Sequence, residues 1–278
     1  LVLTIVCFVL LVPKIKAPLA LSFFYQPSPT CLEYALSISR LNTLLHCERV
    51  HPHFFIANQK MKKLIGKVPP EAVKFLEIPR LSPSIIERFK HLEDLTGDLS
   101  DAMDLIGIEG AVPASVLKPN LIATKMVGQA VTVRNVERVG TPHLNALTGK
   151  GTMGEHEAYN LSEPGDVIVI EGLVGVSNMG GQSATLAHRS GCAGAIIDGS
   201  YRDPDVSRTH GFPIWAKGAT PITGKWRLQT TEINVTVRIG GVAVRAGDLV
   251  AADEAGVVFI PFERVQEVLE AAEKIHQG

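Results

Sequence analysis

A chain of 278 residues, 46% of them hydrophobic, can bury a large core in one domain or two small ones. Its 27 basic and 28 acidic residues leave a formal charge of -1, so nucleic acid binding has no electrostatic support. With 25 glycines and 6% aromatic residues, the composition is that of a loop-containing α/β enzyme, not of a repeat or fibre.

The first sixty residues stand apart. From Leu1 to Lys60 there is no Gly and no Asp, where average usage places roughly four glycines. Cys7, Cys31 and Cys47 fall there, leaving Cys192 alone in the rest. The apolar run Leu1 to Val12 has the length of a signal h-region and is too short to span a membrane. Lys14 and Lys16 follow that run instead of preceding it. The reading is therefore an extraneous or disordered extension over 1–60 and a natural start at Met61, giving a domain over 61–278. No cysteine pair has CxxC spacing, so no disulfide framework is implied, and Cys192 reads as a small core residue.

From Met61 onward, Pro83 to Glu93 has helical spacing, with Ser82 as N-cap and Pro83 at the first position. Gly97 to Gly107 reads as a second helix between glycines. Asp101 and Asp104 share one of its faces, which reads as solvated. Val127 to Val136 is β-rich and reads as a strand. Gly140 to Gly154 reads as a loop. Its GxGxxG match at Gly149 to Gly154 is discounted, because no strand runs into it and the helix after it is very short. His156-Glu157 begins an HExxH-like pattern, but Asn160 stands where the second His belongs, which removes a zinc protease.

Pro164-Gly165-Asp166 reads as a turn and Val167 to Ile170 as a buried strand. Then comes GGQSATLAHRSGCAGAIIDGSYRD, Gly180 to Asp203. It reads as a helix from Ser183 to Arg189, a glycine stop at Gly191, a strand from Ala193 to Ile197 and a turn at Asp198-Gly199. Arg202 and Asp203 lie just beyond. In α/β architectures ligands sit past the carboxyl ends of strands. A helix opening at Gly180 to Ser183 offers unpaired N–H groups that suit a carboxylate or phosphate. One stretch thus supplies an anion cradle, a guanidinium and a metal-binding carboxylate.

Pro204 to His210 continues as a short helix, and Ile214 to Lys217 as a strand. Ala219 to Lys225 is not a phosphate loop: Gly218 to Gly224 is one residue too long, and Trp226 replaces the Ser or Thr. Ile233 to Ile239, Val242 to Arg245, Leu249 to Ala252 and Gly256 to Pro261 read as strands. Phe262 to His276 reads as a closing amphipathic helix, with Val265, Val268, Leu269 and Ala272 on one stripe. Helices and strands interleave early and strands cluster late. This predicts layered α/β/β/α packing and not a doubly wound sheet.

The segments GDLSDAMDLIG, GQAVTV, EHEAYNLSEPGDVIVIEG, the Gly180 to Asp203 stretch and GGVAVRAGDLVAADEAGVVFIP, in this order, resemble the RraA-like family. That family includes 4-hydroxy-4-methyl-2-oxoglutarate aldolases. The resemblance runs from about Leu95 to near the C-terminus. It implies an αββα sandwich of the swivelling β/β/α type, assembled as a homotrimer or hexamer; the expected location is the cytoplasm, with no membrane or nucleic acid partner. It implies a class II pyruvate aldolase dependent on Mg²⁺, Mn²⁺ or another divalent cation, often with oxaloacetate decarboxylase activity. Some relatives instead inhibit RNase E, which is the alternative function.

Carried over by residue, Arg202 matches the substrate-binding arginine and Asp203 the metal-binding aspartate, both catalytic. Gly180, Gly181, Gln182 and Ser183 match the segment whose backbone holds the pyruvate carboxylate. Two departures touch proton transfer. Gly181 stands where the aldolases often carry an acid. The chain ends at His276-Gln277-Gly278, near where they often have a C-terminal acidic residue. His156 and His210 are spare candidates for that role, although each also reads as a structural histidine.

Overall fold

The computed structural model describes residues 62–276. The apolar run Leu1 to Val12, the first three cysteines, Met61 and Gln277 lie outside the described residues. Strand β3, Met126–Glu137, joins the two halves of the fold. Its first residues pair antiparallel with β10, Leu249–Ala252, through Gln129↔Leu249 to Met126↔Ala252. Its middle pairs parallel with β4, Val167–Glu171. Its end, from Val133, pairs antiparallel with β7, Leu228–Ile233, with a register shift between Arg134 and Asn135. A run of twelve residues dominated by β-branched and small side chains can serve this many neighbours.

On one side, β4 continues into parallel pairing with β5, Gly194–Tyr201, and then β6, Ile214–Ala219. The short β2, Lys118–Pro119, closes that edge. On the other side, β10 pairs with β11, Gly256–Ile260, which pairs with β1, Ala111–Pro113. A small hairpin, β8 (Val237–Ile239) with β9 (Val242–Val244), stands beside them.

Strand alternation divides the buried residues into three clusters. Val167, Val169, Ile196, Trp215, Val250, Ala252, Val257 and Phe259 meet in one core between the two halves of the sheet. Ile168, Ile170, Ala195, Ile197, Ile214 and Ala216 face a second core with the helices α4 (Glu155–Leu161) and α5 (Gly181–Arg189). Val127, Leu249, Ala251, Val258 and Ile260 face a third, with α1 (Pro83–Lys90), α2 (Leu95–Leu105) and α7 (Val265–His276). Three cores between four layers make the αββα sandwich. They also explain why β4 reads as an unbroken apolar run: both of its faces are covered.

Gly128 marks the closest approach. A Cβ there would lie 2.1 Å from the Gly165 carbonyl oxygen, so β3 passes the turn before β4 only without a side chain.

Several boundaries differ from the sequence reading. The first helix stops at Lys90, short of Glu93. The second begins at Leu95, two residues before Gly97, because Asp253 accepts the Thr96 N–H at 3.0 Å and its hydroxyl at 2.7 Å. Asp101 and Asp104 are exposed on it, as a solvated face should be. The stretch from Gly140 to Gly154 contains a helix, α3 (Pro142–Leu147), with Thr141 accepting the Leu144 N–H. Ile233 to Ile239 is not one strand: Asn234, at φ 57°, ends β7 before β8 begins. The closing helix begins with a 3₁₀ turn over Phe262–Arg264. Among the described residues no helix is long and apolar enough to cross a membrane.

Candidate active site at the end of β5

Asp198-Gly199 does not turn the chain. It lies inside β5, which runs on to Tyr201 with a register shift between Ile197 and Ser200. Tertiary partners override the local signal. The Gly240 N–H donates to Asp198 Oδ2 at 2.8 Å, and Lys217 pairs with Oδ1. Asn178 covers Gly199, where a Cβ would come within 2.5 Å of its Nδ2.

The longer strand delivers Arg202 and Asp203 to the start of α5. The Asn178 N–H donates to Ser200 O at 2.8 Å and the Arg202 N–H to Met179 O at 3.0 Å, so the approach to α5 lies along the end of β5. Gly180 is the N-cap of α5; a Cβ on it would sit 3.1 Å from Arg202 Nε and 3.3 Å from Asp203 Oδ2. Asp203 is in the left-handed region, at φ 58° and ψ 53°, and caps helix α6, Pro204–Thr209. That turn brings its carboxylate back. Oδ2 accepts the Gly181 N–H at 2.9 Å and lies 3.4 Å from Arg202 Nε, with both side chains 41% exposed.

Two more amides open at the same place. No described residue accepts from the Gln182 or Ser183 N–H, while the Ala184 N–H already returns to Gly180 O at 2.9 Å. These free amides and the positive end of the α5 dipole favour an anion. A recess of about 380 Å³, lined by Asp203, Pro204, Asp205, Ala219, Thr220 and Pro221, adjoins the carboxylate.

The Asp203 carboxylate, at the start of α5, is the group placed to take a cation beside these amides. Among the described residues no cluster of three or more His, Cys, Asp or Glu can hold a metal. Asp203 Oδ1 has no hydrogen bond to a described residue, and the side chain is open to solvent. One free carboxylate oxygen fits Mg²⁺ or Mn²⁺, which keep several waters and take further oxygens from a substrate. It does not fit zinc, which asks for three or four protein ligands.

The site residues named from the sequence thus fall together: Gly180, Gly181, Gln182, Ser183, Arg202 and Asp203 share one corner. The Ser183 side chain already has a partner. Its hydroxyl donates at 2.9 Å to Glu155 Oε1 on α4, a 5% exposed residue that the sequence reading passes over. An acid at the first position of a helix reads as a dipole partner and carries no other signal.

The spare histidines are placed elsewhere. His210 stacks on His188 with ring centroids 6.1 Å apart, and His156 lies against Tyr159. His276 pairs with Asp98 on α2, in the helix layer on the other half of the sheet. Glu157 accepts the Ile65 and Lys67 amides, a structural clamp with no metal-ligand geometry. Cys192 is 5% exposed, and burial pushes its thiol up to about 11, as a core residue requires.

Residues 96–259 match the family model described as RraA-like, Aldolase/RraA. The chain is 33% identical over 178 residues to a Halalkalibacterium halodurans protein provisionally named 4-hydroxy-4-methyl-2-oxoglutarate aldolase, covering 63% of this chain and 77% of that one. It is 29% identical to the 4-hydroxy-4-methyl-2-oxoglutarate aldolase of Thermus thermophilus, covering 61% and 94%. Protein DlpA of Legionella pneumophila is 30% identical over 63% of this chain, which spans only 27% of that longer protein. Among solved structures, the Streptomyces coelicolor RraAS2, described as an unusual member of the RNase ES inhibitor RraA family, superposes with a TM-score of 0.58 at 25% identity, covering 72% and 95%. Four layers, the ordered motifs and the matched span agree, and the chain belongs to the RraA-like family.

Proposed function

We propose that this protein is a divalent-metal-dependent lyase that cleaves 4-hydroxy-4-methyl-2-oxoglutarate, or a similar 2-oxo acid, to pyruvate, and that it also decarboxylates oxaloacetate. One observation carries the reading: the Arg202 guanidinium, the Asp203 carboxylate and the first turn of α5 come within hydrogen-bond reach at the end of β5. The Gly180 to Ser183 backbone holds the substrate carboxylate through its free amides. Arg202 directs N–H donors at the 2-oxo oxygen, where cleavage places the charge of an enolate. Fixed donors of this kind need no reorganisation as the charge develops. Asp203 would hold the cation, which supplies Lewis acidity at that same oxygen. The aldolase names of the relatives support the reaction class.

The working unit in this reading is the segment 61–278, assembled as a homotrimer or hexamer in the cytoplasm. Pyruvate release from the two substrates, with Mg²⁺ and with chelator, tests the activity. Turnover should need the cation and fall about 100-fold or more in Arg202→Ala. No turnover, or turnover untouched by that change, removes the proposal.

Gly181 favours a second reading, a non-catalytic protein that modulates a ribonuclease, because it leaves the α5 start without an acidic side chain. Capture of RNase E by a variant and wild type that both lack lyase activity would select it.

A further inference from the structure

Aldol cleavage needs an acceptor for the substrate's alcohol proton, and Gly181 provides none. A Cβ there would already lie 3.0 Å from the Val206 side chain, so an acid at this position would have to push Val206 aside by a few tenths of an ångström. Ser183, in that same turn, is tied instead to a carboxylate behind it.

Glu155 differs from the other buried acid of its helix. Glu157, also buried, places its two oxygens on the Ile65 and Lys67 amides at 2.8 and 3.0 Å. Both of its oxygens are used, as a structural carboxylate requires. Glu155 uses one. Oε1 accepts the Ser183 hydroxyl, while Oε2 is buried with no hydrogen-bond partner among the described residues. Leaving a buried acceptor idle is unfavourable by about 1–3 kcal/mol. Two helix N-termini offset this, that of α4 on which Glu155 sits and that of α5 reached through Ser183.

Tyr159, one turn further along α4, has a buried hydroxyl that lies beside Ser183 without a well-aligned hydrogen bond. Burial, and then the charge of Glu155, push that phenol well above its ordinary value, so it stays neutral and supplies no base. Among the described residues, Glu155 is therefore the one base that hydrogen-bonds to a side chain of the α5 first turn.

We infer that Glu155 takes up the alcohol proton of the substrate through the Ser183 hydroxyl. This rests on the lyase reading above. The substrate O–H breaks and its proton passes to Ser183 Oγ, while the proton of Ser183 passes to Glu155. The freed electron pair forms the new carbonyl. The carbon–carbon bond breaks, and its pair moves to the 2-oxo oxygen as an enolate. The enolate carbon takes its proton from water, which gives pyruvate, and Glu155 returns its proton through Ser183 to water once the products leave, so both side chains are restored. Ser183 touches the substrate, and Glu155 is the positioning carboxylate behind it.

Two reactions at one site separate this role from a structural one. Cleavage of 4-hydroxy-4-methyl-2-oxoglutarate removes an alcohol proton; decarboxylation of oxaloacetate does not. In Glu155→Gln, which keeps shape and hydrogen bonding, kcat for cleavage should fall about 100-fold or more while decarboxylation stays within about threefold. Glu155→Asp, whose shorter side chain draws the carboxylate back from Ser183, should give a split of the same sign, and serves if the first variant fails to fold. Equal losses in the two reactions, or no loss in either, would overturn the inference and leave the lyase reading intact. A wild type inactive on both substrates would remove the lyase reading, and the inference with it.

Discussion

Asp203 does two things that substitution can separate. It caps α5 through the Gly181 N–H and occupies a left-handed turn. Its charge is a further matter. Removing the cap in Asp203→Ala loses a hydrogen bond to a charged acceptor, about 1–2 kcal/mol. The pair with Arg202 adds at most about 0.5 kcal/mol, because both side chains are 41% exposed. Placing Ala in the left-handed region adds about 1 kcal/mol. The sum is about 2–3.5 kcal/mol, which for a unit of this size lowers Tm by about 4–14 °C. Asn tolerates the same backbone and can still accept from Gly181, so Asp203→Asn should lose less than about 1 kcal/mol. Both variants should lose cation-dependent turnover. Thermal unfolding and pyruvate release, measured on the same samples, check the separation. An Asp203→Ala protein that melts with the wild type, or an Asn variant as unstable as the Ala variant, would refute the capping account.

Other expectations follow from packing and charge. Gly128→Ala would press a Cβ against a backbone carbonyl at 2.1 Å, which cannot rotate away. Denaturant unfolding should show a loss of about 3 kcal/mol or more, against almost none for Gly151→Ala, where the nearest atom is a flexible lysine carbon at 3.6 Å. Asp248 is 3% exposed, and burial raises its carboxyl above the ordinary value despite the Arg245 and Phe262 amides that donate to it. Between the ordinary value and the raised one, the native state therefore holds a proton that the unfolded chain has released. The wild type's stability relative to Asp248→Asn should fall as pH rises from about 4 through the raised value. A difference that grows with pH across this window would contradict the assignment.

Much of the architecture was legible where local pattern and tertiary context agree. The β4 run, the β10 strand, the α7 stripe and the helix-then-strand order from Gly180 to Tyr201 all follow from periodicity and glycine punctuation. The misses have physical causes. Asp198-Gly199 has turn chemistry, and only Gly240, Lys217 and Asn178, distant in sequence, keep it in a strand. Helix α3 carried its own signal, Thr141 followed by Pro142, hidden within a glycine-bounded stretch that suggests a loop. Asn234 splits an apparently continuous strand by taking φ 57° and donating to Phe75 O at 2.7 Å. Strands β1 and β2 are three and two residues long, too short for any period to show. At the site, the six carried-over residues were readable as one cluster. Glu155 was not, because its distinction is one unpartnered oxygen, which is a property of the packed structure.

A calorimetric titration with oxalate, a planar dianion shaped like the enolate of pyruvate, tests the central claim most directly. Binding should appear with Mg²⁺ present, vanish with chelator, and weaken at least tenfold, about 1.4 kcal/mol, in Arg202→Ala. Equal binding by wild type and Arg202→Ala, or none by the wild type with Mg²⁺, would contradict a site built from Arg202, Asp203 and the first turn of α5.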